Sequence, residues 1–123
     1  MTQLTKHFSE EEFACKCKCN KGLISQELVE KLEEVRVKFG KVMRVTSGVR
    51  CLEHNLDIGS RKTSSHIPNE DGIGRAADIS CRDIITRSEL LPLMLEEFER
   101  VGINKAFIHV DVDYKKQSGV FVY

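Results

Sequence analysis

The stretch from Ala106 to Val112, A-F-I-H-V-D-V, constrains the fold more than any other part of the chain. Apolar and polar side chains alternate along it, and in a strand alternate side chains point to opposite faces. The apolar set is Ile108, Val110 and Val112, and the other set is Phe107, His109 and Asp111. We therefore predict a strand whose apolar face lies in the core. Its other face presents a histidine and an aspartate, which need polar partners if they are covered.

A second segment, Ser64 to Asp78, supplies two more side chains that suit a metal ion. Small residues precede Asp78, and the alternation around it predicts another strand. With His109, the side chains of His66 and Asp78 form a set of two imidazoles and one carboxylate. Such a set suits zinc and leaves a fourth position for water. We predict that these three residues bind one zinc ion.

Four short motifs, taken together, resemble those of one protein family. They are S-G-x-R at Ser47–Arg50, S-x-H at Ser64–His66, G-x-A-x-D at Gly74–Asp78 and H-x-D at His109–Asp111. The set resembles the M15 zinc peptidases, D-alanyl-D-alanine carboxypeptidases and L-alanyl-D-glutamate endopeptidases of bacterial and phage origin. The resemblance covers the chain from about Leu4 to Tyr123. It implies an α+β fold shared with the hedgehog signalling domain, with a small antiparallel sheet flanked by helices.

The resemblance also implies a function and a role for one arginine. The expected function is zinc-dependent hydrolysis of peptide bonds in peptidoglycan stem peptides, by a carboxypeptidase or an endopeptidase such as a phage or prophage lysin. Arg50 matches the family arginine that faces the active site. Its planar guanidinium can bind a substrate carboxylate or stabilise the oxyanion of a tetrahedral intermediate. An ion pair with Glu53 is the structural alternative.

The chain departs from the family pattern in two ways. Eleven residues lie between His66 and Asp78, more than is usual in the family, as though Pro68 to Gly72 had been inserted. Many members carry a general-base glutamate three residues before the last histidine, and Ala106 stands at that position here. The metal site is therefore better supported than the catalysis.

Asp111 is our first candidate for the missing general base, because it shares a strand face with His109. Its alternative role is to accept the N–H of a ligand histidine and so fix the tautomer of that ring. The reserve candidates are Glu70, Asp71 and Asp113.

The five cysteines leave a second metal site open. Cys15, Cys17 and Cys19 lie together in A-C-K-C-K-C-N, whereas Cys51 and Cys81 are distant in sequence. Cysteines in C-x-C are poorly placed to bridge each other, which leaves long-range disulfides, a structural zinc held by the three thiolates, or reduced thiols. Since no signal peptide is recognisable, reduced thiols or a zinc site are favoured.

Length and charge limit the domain organisation and the partners. The 123 residues fit one domain, residues 1–123, and we expect a monomer. Lys and Arg equal Asp and Glu at 19 each, so no net field favours nucleic acid or an acidic membrane. No apolar run is long enough to span a bilayer, and the first ten residues lack the apolar segment of a signal peptide. We expect a protein that is cytoplasmic until it is released to the cell wall.

Capping signals and apolar periodicity predict three helices. Ser9 and Glu12 form a capping box before the first, and Ser25 to Phe39 is the second. The third is expected over Ile84 to Gly102, with a capping box at Thr86 and Glu89. A hairpin between the histidine strand and Gly119 to Tyr123 is expected to close the chain.

Two other classes of function compete with the peptidase. A catalytically inactive, zinc-containing module of the same fold, which binds the cell wall or a partner, is favoured by Ala106 and the lengthened loop. A thiolate-metal or redox protein built on Cys15, Cys17 and Cys19 would lose its metal when these cysteines are replaced.

Overall fold

The computed structural model describes residues 2–61 and 63–123, which form four helices and seven strands. The helices are α1 (Glu10–Phe13), α2 (Gln26–Phe39), α3 (Leu52–Asp57) and α4 (Ile84–Glu97). The strands are β1 (Leu23–Ile24), β2 (Val45–Ser47), β3 (Ile73–Gly74), β4 (Ala76–Ser80), β5 (Arg100–Ile103), β6 (Phe107–Asp111) and β7 (Gly119–Val122). The chain has the α+β fold that the sequence predicts.

Five strands form one sheet in the order β2-β4-β6-β5-β7. The pairs β2–β4, β4–β6 and β5–β6 are antiparallel, whereas β5 and β7 are parallel. The sheet is therefore mixed, and the predicted closing hairpin between the histidine strand and the last strand is wrong. Since β4 and β5 already occupy both edges of β6, the last strand pairs with the free edge of β5 instead.

The apolar face of β6 lies in the core, as its alternation predicts. Ile108 and Val110 are fully buried and belong to one cluster with side chains of α2 and α4. The helical members of this cluster are Leu28, Val29, Leu32, Val35, Leu90 and Met94. The two long helices therefore cover one face of the sheet and leave the other face, with His109, for a site.

The first helix begins as the sequence predicts. The Glu12 carboxylate accepts a hydrogen bond of 2.7 Å from the backbone N–H of Ser9, and the rings of Phe8 and Phe13 pack 5.7 Å apart between their centroids. Both phenylalanines are buried. This contact between the residue before the N-cap and the first turn is a hydrophobic staple, which fixes the direction of the entering chain.

The third helix begins at Ile84, as predicted, but its N-cap and its C-terminal end differ from the prediction. Asp83, not Thr86, is the N-cap, and its carboxylate accepts a hydrogen bond of 2.6 Å from the backbone N–H of Thr86. Aspartate is a stronger N-cap than threonine, which explains the earlier N-cap. The helix ends at Glu97 because residues 100–103 pair as β5 with both β6 and β7.

The apparent insertion, Pro68–Gly72, forms a turn that lies next to the N-terminal loop of residues 15–22. The N–H of Leu23 donates to the carbonyl of Gly72, and β1 pairs with β3 immediately after it. Gly22 closely faces Pro68, since a Cβ on that glycine would lie 2.5 Å from the proline ring. The extra residues therefore dock against the N-terminal loop.

Within the residues that the structure describes, none of the helices has both the length and the apolar composition needed to cross a bilayer.

Candidate metal centre

Three buried side chains meet on the open face of the sheet. Asp78 of β4 and His109 of β6 are direct cross-strand neighbours in the antiparallel register, so their side chains project side by side. His66 reaches the same point from the loop before β3. Each of the three offers one ligand atom, and these atoms all lie within 4.8 Å of one another. The structure brings together the three residues that the sequence analysis predicts as metal ligands.

The backbone fixes which nitrogen of His66 faces this point. Its Nδ1 lies 2.7 Å from the carbonyl oxygen of Gly48, and a carbonyl can only accept a hydrogen bond. The proton of the neutral ring is therefore on Nδ1. The Nε2 atom, 3.2 Å from Oδ1 of Asp78, presents a lone pair to the centre.

His109 is oriented in the same manner, but by a carboxylate. Its Nε2 lies 2.7 Å from Oδ2 of Asp111, and its Nδ1 lies 3.0 Å from Oδ1 of Asp78. With the proton on Nε2, which donates to Asp111, the lone pair of Nδ1 faces Asp78. Asp111 also accepts a hydrogen bond of 3.0 Å from Nε of Arg100 and is 3% exposed. This geometry favours the tautomer-fixing role of Asp111, which the sequence left open.

With both rings neutral in these tautomers, Nε2 of His66 and Nδ1 of His109 present lone pairs to one carboxylate oxygen of Asp78. This arrangement of acceptors is stabilised by positive charge among the three atoms, which a metal ion or a proton on Nδ1 of His109 supplies. Two imidazoles and one carboxylate are also a donor set that zinc accepts in catalytic sites. The residues present therefore fit a zinc ion, and the fit rests on the hydrogen bonds of the ring nitrogens that face away from the centre.

The protonation equilibria of the centre follow from burial and these contacts. Burial lowers the pKa of His66 and keeps that ring neutral. Burial alone would raise the pKa of Asp78, but hydrogen bonds with His109 and His66 hold it well below its usual range. Burial likewise opposes a charge on His109, yet Asp111 and Asp78 raise its pKa. Two carboxylates beside His109 make this centre attractive to a cation.

The segment Ser47–Arg50 forms two hydrogen bonds with His66, one to its ring and one to its backbone. The carbonyl of Gly48 accepts from the ring of His66, while the N–H of Arg50 donates 2.9 Å to the carbonyl of His66. Gly48 lies directly against the backbone of Phe13. The N–H of the following residue, Val49, donates a hydrogen bond of 2.7 Å to the carbonyl of Phe13 and holds the two segments together. The S-G-x-R motif therefore orients a metal ligand in addition to presenting its arginine.

This close approach predicts that Gly48→Ala destabilises the protein. A methyl group at position 48 would lie 2.5 Å from the carbonyl oxygen and 2.7 Å from the Cα of Phe13, both backbone atoms that cannot move freely. We expect a loss of about 3 kcal/mol in the free energy of unfolding, the upper end for overpacking. Urea denaturation measures it.

Gly40→Ala is the matched control, because Gly40 has a φ of 71° and no atom near its absent Cβ. Its expected loss is about 1 kcal/mol, from the left-handed backbone alone. An equal or smaller loss for Gly48→Ala would contradict the packing described here.

Arg50 lies beside the centre and is 7% exposed. Its guanidinium donates to Oδ1 of Asn55 at 3.2 Å and lies 3.7 Å from Oδ2 of Asp78. Its acidic neighbour is therefore Asp78 and not Glu53, the partner in the structural alternative. The Nε donor of Arg50 is buried without a hydrogen-bond partner among the described residues. The Arg50 side chain also lines the cleft over this centre, where a guanidinium is suited to bind an anionic acceptor.

A cleft of about 890 Å³ opens over these residues. The cationic side chains in its wall are Arg50, Arg61, Arg100 and Lys116, and the aromatic ones are Phe107, Phe121 and Tyr123. Asp78 is the only carboxylate among the described residues that line it. Burial, reinforced by Asp78, raises the pKa of the Tyr123 phenol to about 12, so this group stays protonated. Cationic side chains therefore outnumber acidic ones in the described wall of the cleft.

The reserve acids lie outside this cleft. Glu70, Asp71 and Asp113 line a separate depression with Arg75. Asp71 pairs with that arginine at 2.5 Å, and Asp113 accepts a hydrogen bond from Ser65. No described carboxylate other than Asp78 occupies the cleft wall where a general base would act on water.

The geometry predicts that Asp111→Asn weakens metal binding. The asparagine can still accept from His109, but the charge that polarises the ring is lost, and such outer partners typically contribute 10–100-fold in metal affinity. We expect a loss of about this size, measured by competition with a zinc chelator. Asp113→Asn, two residues further on, is the control and should bind metal normally. If Asp111→Asn instead keeps its metal affinity and loses only kcat, then Asp111 is the general base.

The cysteines show where the sequence reasoning fell short. Cys15, Cys17 and Cys19 do lie together, but Cys51 joins them, and Cys81 is buried elsewhere. No local pattern in the sequence links Cys51 to the other three, because the contact joins two segments that are distant in the chain.

Two comparisons with known proteins bear on this site. The family model described as Peptidase M15 matches residues 6–111, which include all three histidine and aspartate residues of the centre. No curated protein is significantly similar to the chain.

Proposed function

Because the chain belongs to the peptidase M15 family, we propose that it is a zinc-dependent peptidase that hydrolyses peptide bonds in peptidoglycan stem peptides. The observation that carries this proposal is the convergence of Nε2 of His66 and Nδ1 of His109 on Oδ1 of Asp78 at the floor of a cationic cleft. Membership of the family supports peptidase activity. The zinc ion and the peptidoglycan substrate are the parts of this proposal that go beyond family membership.

The chain's own residues suit a hydrolytic metal site. Zinc bound by His66, Asp78 and His109 would supply a Lewis acid and a water of lowered pKa. The carbonyl of Gly48 and the carboxylate of Asp111 would hold the two rings in the tautomers that leave their lone pairs on the centre. Preorganised ligands of this kind need little rearrangement when the metal binds.

The charge of the cleft supports an acidic peptide as the substrate. Four cationic side chains and a single carboxylate line it, although the chain as a whole carries no net charge. Stem peptides carry free carboxylates at D-residues, and a buried guanidinium binds a carboxylate through charge-assisted hydrogen bonds. Arg50 is the residue best placed for this, because its guanidinium lines the cleft and borders Asp78.

The place of action follows from the substrate. Peptidoglycan lies outside the cytoplasm, so we also propose that the protein acts after release to the cell wall, as a phage or prophage lysin does. The cut bond distinguishes a carboxypeptidase from an endopeptidase, and the aromatic wall of Phe121 and Tyr123 would shape that choice.

A second candidate function is a binding module that holds zinc but does not hydrolyse its ligand. One observation favours it: Ala106 replaces the expected glutamate, and the described cleft wall offers no carboxylate beyond Asp78. In that case the cationic cleft would still bind stem peptides.

The test uses the zinc-loaded protein and synthetic stem peptides that end in D-Ala-D-Ala or in D-Glu. Peptidase activity predicts new amines and product masses that identify the cut bond, both abolished by chelation and restored by zinc. Calorimetric binding of the same peptides without any product would establish the binding module. Neither binding nor product would overturn both candidates.

A further inference from the structure

Four cysteine thiols meet at a second point of the molecule, outside the cleft. Cys15, Cys17 and Cys19 belong to the loop after α1, and Cys51 is the N-cap of α3. All four sulfur atoms lie within 4.8 Å of one another. The sulfur of Cys17 is 3.3 Å from that of Cys15 and 3.6 Å from that of Cys51. The cluster joins two segments that are far apart in sequence.

These separations have the scale of metal coordination. A disulfide bond is about 2.05 Å long. Four thiolates around a tetrahedral zinc ion, each bonded at about 2.3 Å, lie roughly 3.7 Å apart. The two sulfur–sulfur distances of 3.3 and 3.6 Å are closer to the second value than to the first. We propose that Cys15, Cys17, Cys19 and Cys51 form a structural metal centre that binds zinc through four thiolates.

Backbone N–H groups around the cluster favour thiolates at three of its four sulfurs. The N–H of Cys51 points at the sulfur of Cys15, that of His54 at the sulfur of Cys51, and that of Lys21 at the sulfur of Cys19, each at 3.4 Å. A sulfur is a weak acceptor when neutral and a stronger one when it is charged. Three sulfurs therefore receive a donor that stabilises negative charge, and a divalent cation would balance the remainder.

The loop conformation is the second local observation. Lys18 and Asn20 have φ values of 61° and 58°, in the left-handed region that non-glycine residues seldom occupy. Lys18 separates Cys17 from Cys19, and Asn20 directly follows Cys19, so both turns lie within the cysteine loop. Such backbone strain persists only where the surroundings hold it, and a metal bond to each sulfur would do so.

The position of Cys51 gives this centre a role. It directly follows Arg50 and begins the short helix α3, whose Asn55 accepts a hydrogen bond from the Arg50 guanidinium. Metal bound to all four sulfurs would fasten the loop 15–19 to the segment that positions Arg50 and, through Gly48, His66. The second centre would thus hold the cleft in shape without touching the substrate.

The experiment compares metal content in the full-length reduced protein and in three variants. We expect about two zinc equivalents in the wild type, and about one in the double variant Cys17→Ser/Cys19→Ser, which alters the two least buried ligands. His66→Ala should also lose about one equivalent, from the cleft. Cys81→Ser, a buried cysteine outside the cluster, is the matched control and should retain about two.

The second readout is spectroscopic, and its result for the wild type does not depend on how the variants fold. Cobalt in a four-thiolate site gives an intense thiolate-to-metal charge-transfer absorption, which His66→Ala should retain and the double cysteine variant should lose. Absence of this band from cobalt-loaded wild type would overturn the proposal. So would a mass that shows disulfides in protein purified under reducing conditions. Neither readout uses peptide hydrolysis, so this proposal and the proposed function fail separately.

Discussion

Replacing His66 by alanine is expected to remove the metal ion from the cleft and to lower kcat/KM for stem-peptide hydrolysis on the order of 10³-fold. A metal ion supplies several kcal/mol of transition-state stabilisation, and each 1.4 kcal/mol is about a tenfold change in rate. The ring of His66 is held by the carbonyl of Gly48 and is 1% exposed, so no neighbouring side chain can take its place. Elemental analysis and peptide kinetics measure the two effects.

His54→Ala is the matched control for this variant. His54 lies in α3, is half-buried and makes no contact with the three predicted ligands among the hydrogen bonds of the described residues. It should retain both the metal and the activity within about twofold. If His66→Ala kept its full metal content and activity, then His66 would not be a ligand.

Replacing Arg50 by glutamine is expected to raise KM for acidic stem peptides by about 10–100-fold while the metal stays bound. A hydrogen bond to a charged group contributes about 1.5–3 kcal/mol, and the guanidinium of Arg50 lines the cleft beside Asp78, where a substrate carboxylate would contact it. Amidation of the substrate carboxylate should weaken the wild type by a similar factor and leave the variant almost unchanged. Steady-state kinetics on the four combinations of protein and peptide measures this coupling.

Arg61→Gln is the control, because Arg61 also lines the cleft but is exposed to solvent. Exposed ion pairs contribute little, so its effect should stay below about threefold. Equal losses for Arg50→Gln on the acidic and the amidated peptide would mean that Arg50 supports Asp78, 3.7 Å away, and does not bind the carboxylate.

The fold could be predicted where the signal is local. The alternation from Ala106 to Val112 identified β6 and its buried face, and Ser9 with Glu12 identified the start of α1. Strand pairing could not be predicted in this way. In the sequence, the residues of β5 fit the end of a helical pattern. They form a strand because they pair with β6 on one side and with β7 on the other.

The site was predicted for a related reason. The side chains of His66, Asp78 and His109 are typical metal ligands, and the motifs around them predicted that these three form one metal site. What the sequence did not decide is the direction of each hydrogen bond. Asp111 shares a face with His109, yet its carboxylate contacts the nitrogen that points away from the centre. Likewise, Cys51 lies 36 residues after Cys15, and only the folded backbone brings their sulfurs together.

The most direct test of the account is an anomalous difference map from a crystal of the zinc-loaded protein, recorded at the zinc edge. The account predicts a peak bonded to Nε2 of His66, Nδ1 of His109 and the carboxylate of Asp78, with zinc–nitrogen distances of about 2.0–2.1 Å. A map without a peak among these three side chains, from protein with full zinc content, would contradict the central claim.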